Sequence, residues 1–240
     1  MANLYGPRIV TDGLRYHLDA ANRKSYPGSG STWYNLADPT NSSNFTLNGN
    51  LTYTDSGTPG NFYFDAFNDT NYVSGPSYSH RLNGYTYSFW LKYDATSTYN
   101  TLFENGYWPD ALLYRHQTNT SSVRVYAEGV TTGDHTVAGN ALVLGSATYP
   151  LSKWYNFVFT RATTVNYPCK MYIDGNSYSG FNMTGVDINL SNYNLYLMRS
   201  QHASSQFTDG KLSVFQMYTR TLSANEVQQN YNALKGRYGL

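Results

Sequence analysis

The chain has 240 residues, a formal net charge of +1 and only 13% charged side chains, against roughly 25% in an ordinary soluble domain. The near-equal count of cations and anions, with no basic stripe, excludes nucleic acid as a natural partner. A single cysteine, Cys169, precludes an internal disulfide, and no apolar run nears the ~20 residues of a membrane span.

The length fits one all-β unit over residues 1–240 with a core large enough to stand without staples. The opening "MANLYGPRIVTDG" lacks an apolar stretch, so no secretory signal is expected there. The Asn-X-Ser/Thr triplets at Asn41, Asn44, Asn50, Asn68, Asn119 and Asn182 are then accidents of an Asn/Ser/Thr-rich composition.

The first strand-like segment contains "HLD", which puts His17 and Asp19 on one face and predicts a buried hydrogen-bonded pair. A polar loop follows at 22–44, pinned by Trp33 and Leu36. "YTYSFWLKY" sets Tyr85, Tyr87, Phe89, Leu91 and Tyr93 on one face and Thr86, Ser88, Trp90 and Lys92 on the other. "SVRVYAEG" alternates in the same way. "KWYNFVFTR" alternates Tyr155, Phe157 and Phe159 with Trp154, Val158 and Thr160, so both of its faces are covered. In "CKMYIDG" the apolar set is Cys169, Met171 and Ile173, and Asp174-Gly175 forms a hairpin turn into "NSYSG". "NLYLMRS" and "GKLSVFQMY" add two more strands. Short Gly/Asn/Asp/Ser/Pro spacers throughout point to a sandwich.

One helix is predicted, over about 224–235. Ser223 is its N-cap, Glu226 closes a capping box, and Leu222 and Val227 form a hydrophobic staple. Val227, Tyr231 and Leu234 make its apolar stripe, and Gly236 suits the left-handed position after it.

Taken together these pieces resemble the laminin-G-like, or concanavalin A-like, lectin/glucanase sandwich. The carriers are "GLRYHLDAANRKSYPGSGSTWYNL", "FYFDAFNDTNYV", "YSFWLK", "KWYNFVFTR…KMYIDG" and the ending "FTDGKLSVFQMYTRTLSANEVQQNYNALKGRYGL". In the second piece Ala66 stands where the family pattern has Gly. The resemblance implies a jelly-roll-like antiparallel sandwich with one C-terminal helix. The opening and the ending resemble those of bacteriophage virion proteins.

Glucanases of this superfamily carry glutamates around an aspartate on one strand. The three glutamates here, Glu104, Glu128 and Glu226, have no acidic neighbour at strand spacing, and Glu226 belongs to the helix cap. No nucleophile elbow occurs, and the five histidines are isolated. No enzymatic activity is expected. The resemblance implies a rim calcium site fed by Asp110. The second loop offers Ser200, Gln201 and Gln206 with no acid until Asp209, so Asp110 is expected to be a solvated loop acid, with a weak calcium site as the alternative; no metal or other cofactor is expected.

The loop "NGYWPD" gathers Asn105, Tyr107, Trp108 and Asp110, a set suited to a sugar or to a protein partner. The leading expectation is a structural protein on the exterior of a phage capsid or tail. It would pack with other virion proteins as a symmetric homo-oligomer or array. The second expectation is an adhesin or receptor-binding module for host surface glycan, and an unusual glycosidase stands third.

Overall fold

The structure is a computed structural model describing residues 7–57, 62–76, 84–95, 99–107, 110–117, 122–127, 135–136, 150–163, 168–182, 194–201 and 206–240. For residues 99, 106–107, 110–117, 122–127, 135–136 and 179–182 it describes the backbone alone. Strands within these residues are β1 (Leu14–Asp19), β2 (Thr32–Trp33), β3 (Phe45–Asn48), β4 (Thr52–Asp55), β5 (Phe62–Asp65), β6 (Tyr72–Gly75), β7 (Tyr85–Tyr93) and β8 (Tyr99–Tyr107). They continue with β9 (Asp110–Gln117), β10 (Ser122–Ala127), β11 (His135–Thr136), β12 (Trp154–Arg161), β13 (Pro168–Ile173), β14 (Asn176–Asn182), β15 (Leu195–Leu197) and β16 (Gly210–Tyr218).

Two antiparallel sheets result. The first runs β14-β13-β12-β7-β16-β5-β4, with β1 also paired to β16. The second runs β11-β10-β9-β8-β15-β6-β3-β2. The predicted all-β sandwich with a C-terminal helix is therefore present.

Period-two alternation builds the core between the sheets. Tyr85, Tyr87, Phe89, Leu91 and Tyr93 of β7 all point into it, with Tyr155, Phe157 and Phe159 beside them. The Tyr87 ring stacks on Phe103 of the second sheet at 4.1 Å. Trp33 is fully buried on Phe64 at 4.7 Å, so it anchors the 22–44 loop as expected, while Leu36 is half-buried. Cys169, Met171 and Ile173 are core residues, and the buried Cys169 is in no disulfide.

The outer face of the first sheet is covered by helix α1 (Ala224–Leu234). Its capping box forms, with Ser223 and Glu226 exchanging hydrogen bonds. Arg220 pairs with Glu226 at 2.5 Å and, together with the Ser223 bonds, holds that carboxyl down at about 2. Leu222 and Val227 are buried together with Val158, Tyr172 and Tyr218. Leu234 is buried against Trp90 and Val214, with Tyr231 packed beside them.

The helix end differs from expectation. Gly236 does not cap it; the chain tightens into a 3-10 turn over Lys235–Tyr238, and Gly239 takes the left-handed conformation (φ 72°). Packing explains the extension. Tyr238 stacks on Trp90 at 4.2 Å, and Arg237 pairs with Asp19, so both residues draw the last turn onto the sheet.

That ion pair also corrects the expected His17–Asp19 bond. Asp19 is buried and accepts from Arg237 at 2.7 and 2.9 Å, while His17 Nε2 is buried without a protein partner. A guanidinium is the stronger partner for a buried carboxylate than an imidazole. Burial pushes the His17 pKa down, against the opposing pull of Asp19.

At the β13–β14 hairpin, Asp174 (φ 51°) and Gly175 (φ 78°) form a two-residue turn with both central residues left-handed. Asp174 is a turn residue, as expected, and its carboxylate accepts the Asn156 N–H at 2.9 Å. Ala66, where the family pattern has glycine, is left-handed (φ 68°), and the Asn71 amide clamps its carbonyl at 2.9 Å.

Candidate functional site

The outer face of the second sheet carries no helix among the described residues. Its chemistry follows from strand register. In β6, Val73 and Gly75 point inward, so Tyr72 and Ser74 point outward. Gly75 has to be glycine: a Cβ there would lie 2.1 Å from the Phe45 ring. In β15, Leu195 and Leu197 enter the core and Tyr196 faces out, aligned with Ser74 on one side and Glu104 of β8 on the other. Thr46 and Asn48 of β3 complete the row.

The exposed-side rings of Tyr72 and Tyr196 lie 5.4 Å apart at 33°. After β15 the chain turns at Met198 (φ 64°) and returns Arg199 above Tyr72, its guanidinium carbon 4.5 Å from the ring centroid. Gln201 then donates its backbone N–H to Glu104 Oε2 at 2.7 Å, and Glu104 is fully buried. Asn48 Nδ2 donates to Ser74 Oγ at 2.9 Å.

Two side-chain atoms here are buried without a protein partner, Arg199 Nε and Gln201 Oε1. Leaving such a group unpaired costs about 1–3 kcal/mol, and both atoms are closed off from the surface. Burial raises the Tyr196 hydroxyl pKa, Tyr72 adds to it, Arg199 opposes and Glu104 adds a smaller push. The arrangement offers two tilted aromatic rings, Tyr72 covered by the Arg199 guanidinium and Tyr196 beside it, in a row of outward-facing polar side chains. It suits binding rather than proton transfer.

The hairpin expected to form the site is its neighbour on the same sheet. Tyr107 and Asp110 are cross-strand partners at the ends of β8 and β9, so Asn105 to Tyr107 and Asp110 of "NGYWPD" lie on strands rather than in a loop. Tyr107 lies three residues along β8 from Glu104, about 10 Å at 3.3 Å per residue. Asn105 is corrected from a surface contact to an interior residue. It is fully buried, because it pairs with Leu195 and shares its inward face. The side chains of Tyr107 and Asp110, and Trp108 entirely, lie outside the described residues.

For the same reason the calcium expectation at Asp110 has no side-chain geometry here. Among the described residues, no cluster of three His, Cys, Asp or Glu side chains is placed to hold a metal. On the second rim loop, Ser200 is buried and donates its N–H to Gln206, and Gln201 serves Glu104.

Two sets went unforeseen. Tyr72, Tyr196 and Arg199 come from separate segments, and only the alternation in "NLYLMRS" hinted that Tyr196 faces outward. A carboxylate group also meets at Lys211, which pairs with Asp94 and, at 3.3 Å, with Asp65. Asp209 nearby has its carboxyl raised by burial, then by Asp94 and Asp65. Among the described residues no helix is long and apolar enough to cross a membrane.

The two stacked antiparallel sheets and the docked C-terminal helix define a concanavalin A-like β-sandwich. The sequence pattern of the concanavalin A-like lectin/glucanases superfamily, in its third laminin G form, matches residues 67–228. The chain belongs to that family. No curated protein matches it.

Among solved structures, the receptor binding domain of botulinum neurotoxin C/D mosaic serotype is similar at a TM-score of 0.69 and 12% identity, covering 92% of this chain and 51% of that one. The binding domain of Paraclostridial Mosquitocidal Protein 1 gives 0.68 and 14%, covering 93% and 52%. Trypanosoma rangeli sialidase in complex with sialic acid gives 0.64 and 14%, covering 94% and 33%. The chain thus spans about half or a third of these structures, and at such identity the likeness is one of fold.

Proposed function

We propose that this chain is a non-enzymatic recognition module whose ligand is a surface glycan, held on the outer face of the second sheet. The observation that carries the reading is the Tyr72–Tyr196 pair with Arg199 and Gln201 beside it. An aromatic face has a negative quadrupole that favours the polarised C–H face of a sugar ring, while hydroxyls seek planar polar groups at the edge. The binding domains among the similar folds fit such a role. Absence of catalysis is supported by the state of two of the three glutamates: Glu226 is committed to Arg220 and Ser223, and Glu104 to the Gln201 N–H.

A glycan array probed with the purified chain tests this. Wild type should mark a defined set of glycans, and Tyr72→Ala with Tyr196→Ala should lose at least tenfold in affinity while melting within a few degrees of wild type. Unchanged binding by the folded double variant removes this face from the function.

Composition favours a setting for the module. With 25 tyrosines and only 13% charged residues, the surface resists close neighbours less than a charged one does. In this second reading the chain is a component of a phage-type virion exterior, decorating a capsid or tail and packed with other virion proteins. Isolation of the native particle decides it: the chain should co-purify in fixed stoichiometry, and its absence from particles overturns the setting.

A further inference from the structure

Two cavities lie away from the tyrosine face, one of about 600 Å³ beside α1 and one of about 270 Å³ at Asp174. The smaller one offers Lys153 and Asp174, which already neutralise each other at 3.7 Å. The larger one carries an argument furthest, because it joins open guanidinium donors to an apolar wall. We infer that it binds a small amphipathic anion, a carboxylate or phosphate on an apolar body, with the oxyanion on the free edge of Arg237 and Arg8 adding positive field. The site is separate from the second-sheet face and stands independently of the glycan reading.

The geometry of Arg237 is the first argument. Both oxygens of the buried Asp19 accept from the same nitrogen, Nη1, at 2.7 and 2.9 Å. Nε and Nη2 make no hydrogen bond among the described residues, and neither is closed off from solvent. The side chain as a whole is 40% exposed. In a guanidinium, Nε–H and one Nη2–H point the same way along one edge and form the fork that receives both oxygens of a carboxylate or phosphate. Asp19 therefore holds the group by Nη1 and leaves that fork to a ligand.

The surroundings are the second. Asp19 is the carboxylate among the lining residues, and it is spent, since it also accepts the Ala21 N–H at 3.0 Å. Arg8 lines the same cavity, is exposed, and pairs with no carboxylate among the described residues. Burial holds His17 neutral. The charge a ligand can reach is thus positive. Ile9, Ala233 and Leu234 give the cavity an apolar wall, and its volume falls within the roughly 300–1,000 Å³ of small-molecule sites. A bare inorganic ion would leave that wall wet, and a purely apolar guest would desolvate the guanidinium without pairing it.

An NMR titration of wild type tests the inference with benzoate, phenyl phosphate and the uncharged isostere benzamide, each at low and high NaCl. At least one of the two anions should saturably shift the Ile9, Ala233 and Leu234 signals and the Arg237 Nε–H. It should bind about tenfold more tightly than benzamide, with the margin shrinking in salt. The tighter of the two anions tells a carboxylate ligand from a phosphate. Arg237→Lys keeps a cation for Asp19 but loses the planar fork, and should weaken that anion about tenfold. Arg8→Gln, at an exposed position, should weaken it about threefold with Tm unchanged. Benzamide binding as tightly as the anions overturns the site, and so does the lack of a saturable shift at these residues. Unchanged affinity in a folded Arg237→Lys overturns the fork. If that variant fails to fold, the wild-type comparison and Arg8→Gln remain decisive.

Discussion

Truncating Leu234 to alanine probes how helix α1 is held. Leu234 is 5% exposed and packs with Trp90 and Val214 on the outer face of the first sheet. Removing a buried leucine side chain costs about 2–5 kcal/mol, more when the surroundings cannot relax. One side of Leu234 lines the cavity of about 600 Å³ shared with Ile9, Ala233 and Arg237, so fewer packed neighbours are lost there. The expected cost is therefore in the lower part of that range, about 2–3 kcal/mol. For a chain of 240 residues, 1 kcal/mol moves Tm by roughly 2–4 °C, which gives a fall of about 4–12 °C. Differential scanning calorimetry with urea titration measures both numbers, and the m value should stay constant. Asn225→Ala, at an exposed position of the same helix, serves as the control and should stay within about 0.5 kcal/mol. A Leu234→Ala shift no larger than the control's refutes the docking through this stripe.

Ser223→Ala should cost about 1 kcal/mol in the same assay, because only the cap is lost. With the Glu226 carboxyl held at about 2, its interactions stabilise the fold above the ordinary carboxylate range and disappear as pH falls toward 2, so the cost of Glu226→Gln should shrink in acid. Ala66→Gly should raise stability by up to about 1 kcal/mol, since a left-handed alanine costs about 1–2 kcal/mol and the added chain entropy of glycine returns part of it; a destabilised variant contradicts the strain. Burial keeps His17 neutral, so its folded pKa lies below the unfolded one. Stability should be full above about pH 6.5 and decline as pH falls through and below it, with Asp19 and Arg237 facing the ring, and His17→Asn should flatten that slope in pH-dependent melting.

Elements governed by short-range rules were legible in the sequence. The capping box, the β7 and β12 alternations and the Asp174-Gly175 turn each depend on residues a few positions apart, and each formed. The misreadings share a long-range cause. Asp19 found Arg237, 218 positions away, and the 3-10 extension past Gly236 exists because Tyr238 reaches Trp90. The reading of "NGYWPD" as a loop missed the β8–β9 pairing, and the inward turn of Asn105 follows from its register with Leu195. The tyrosine face was invisible for the same reason: Tyr72, Glu104 and Tyr196 become neighbours only when β6, β15 and β8 line up.

The central claim is that a sugar rests on Tyr72 and Tyr196. Its most direct test is a crystal structure of the chain with the tightest-binding oligosaccharide from the array, supported by intermolecular NOEs in solution. The account predicts ring protons of the sugar against the Tyr196 ring, beside the Arg199 guanidinium that covers Tyr72. A sugar seated on the helix-covered side of the first sheet, or solely at the β8–β9 hairpin tip, contradicts it.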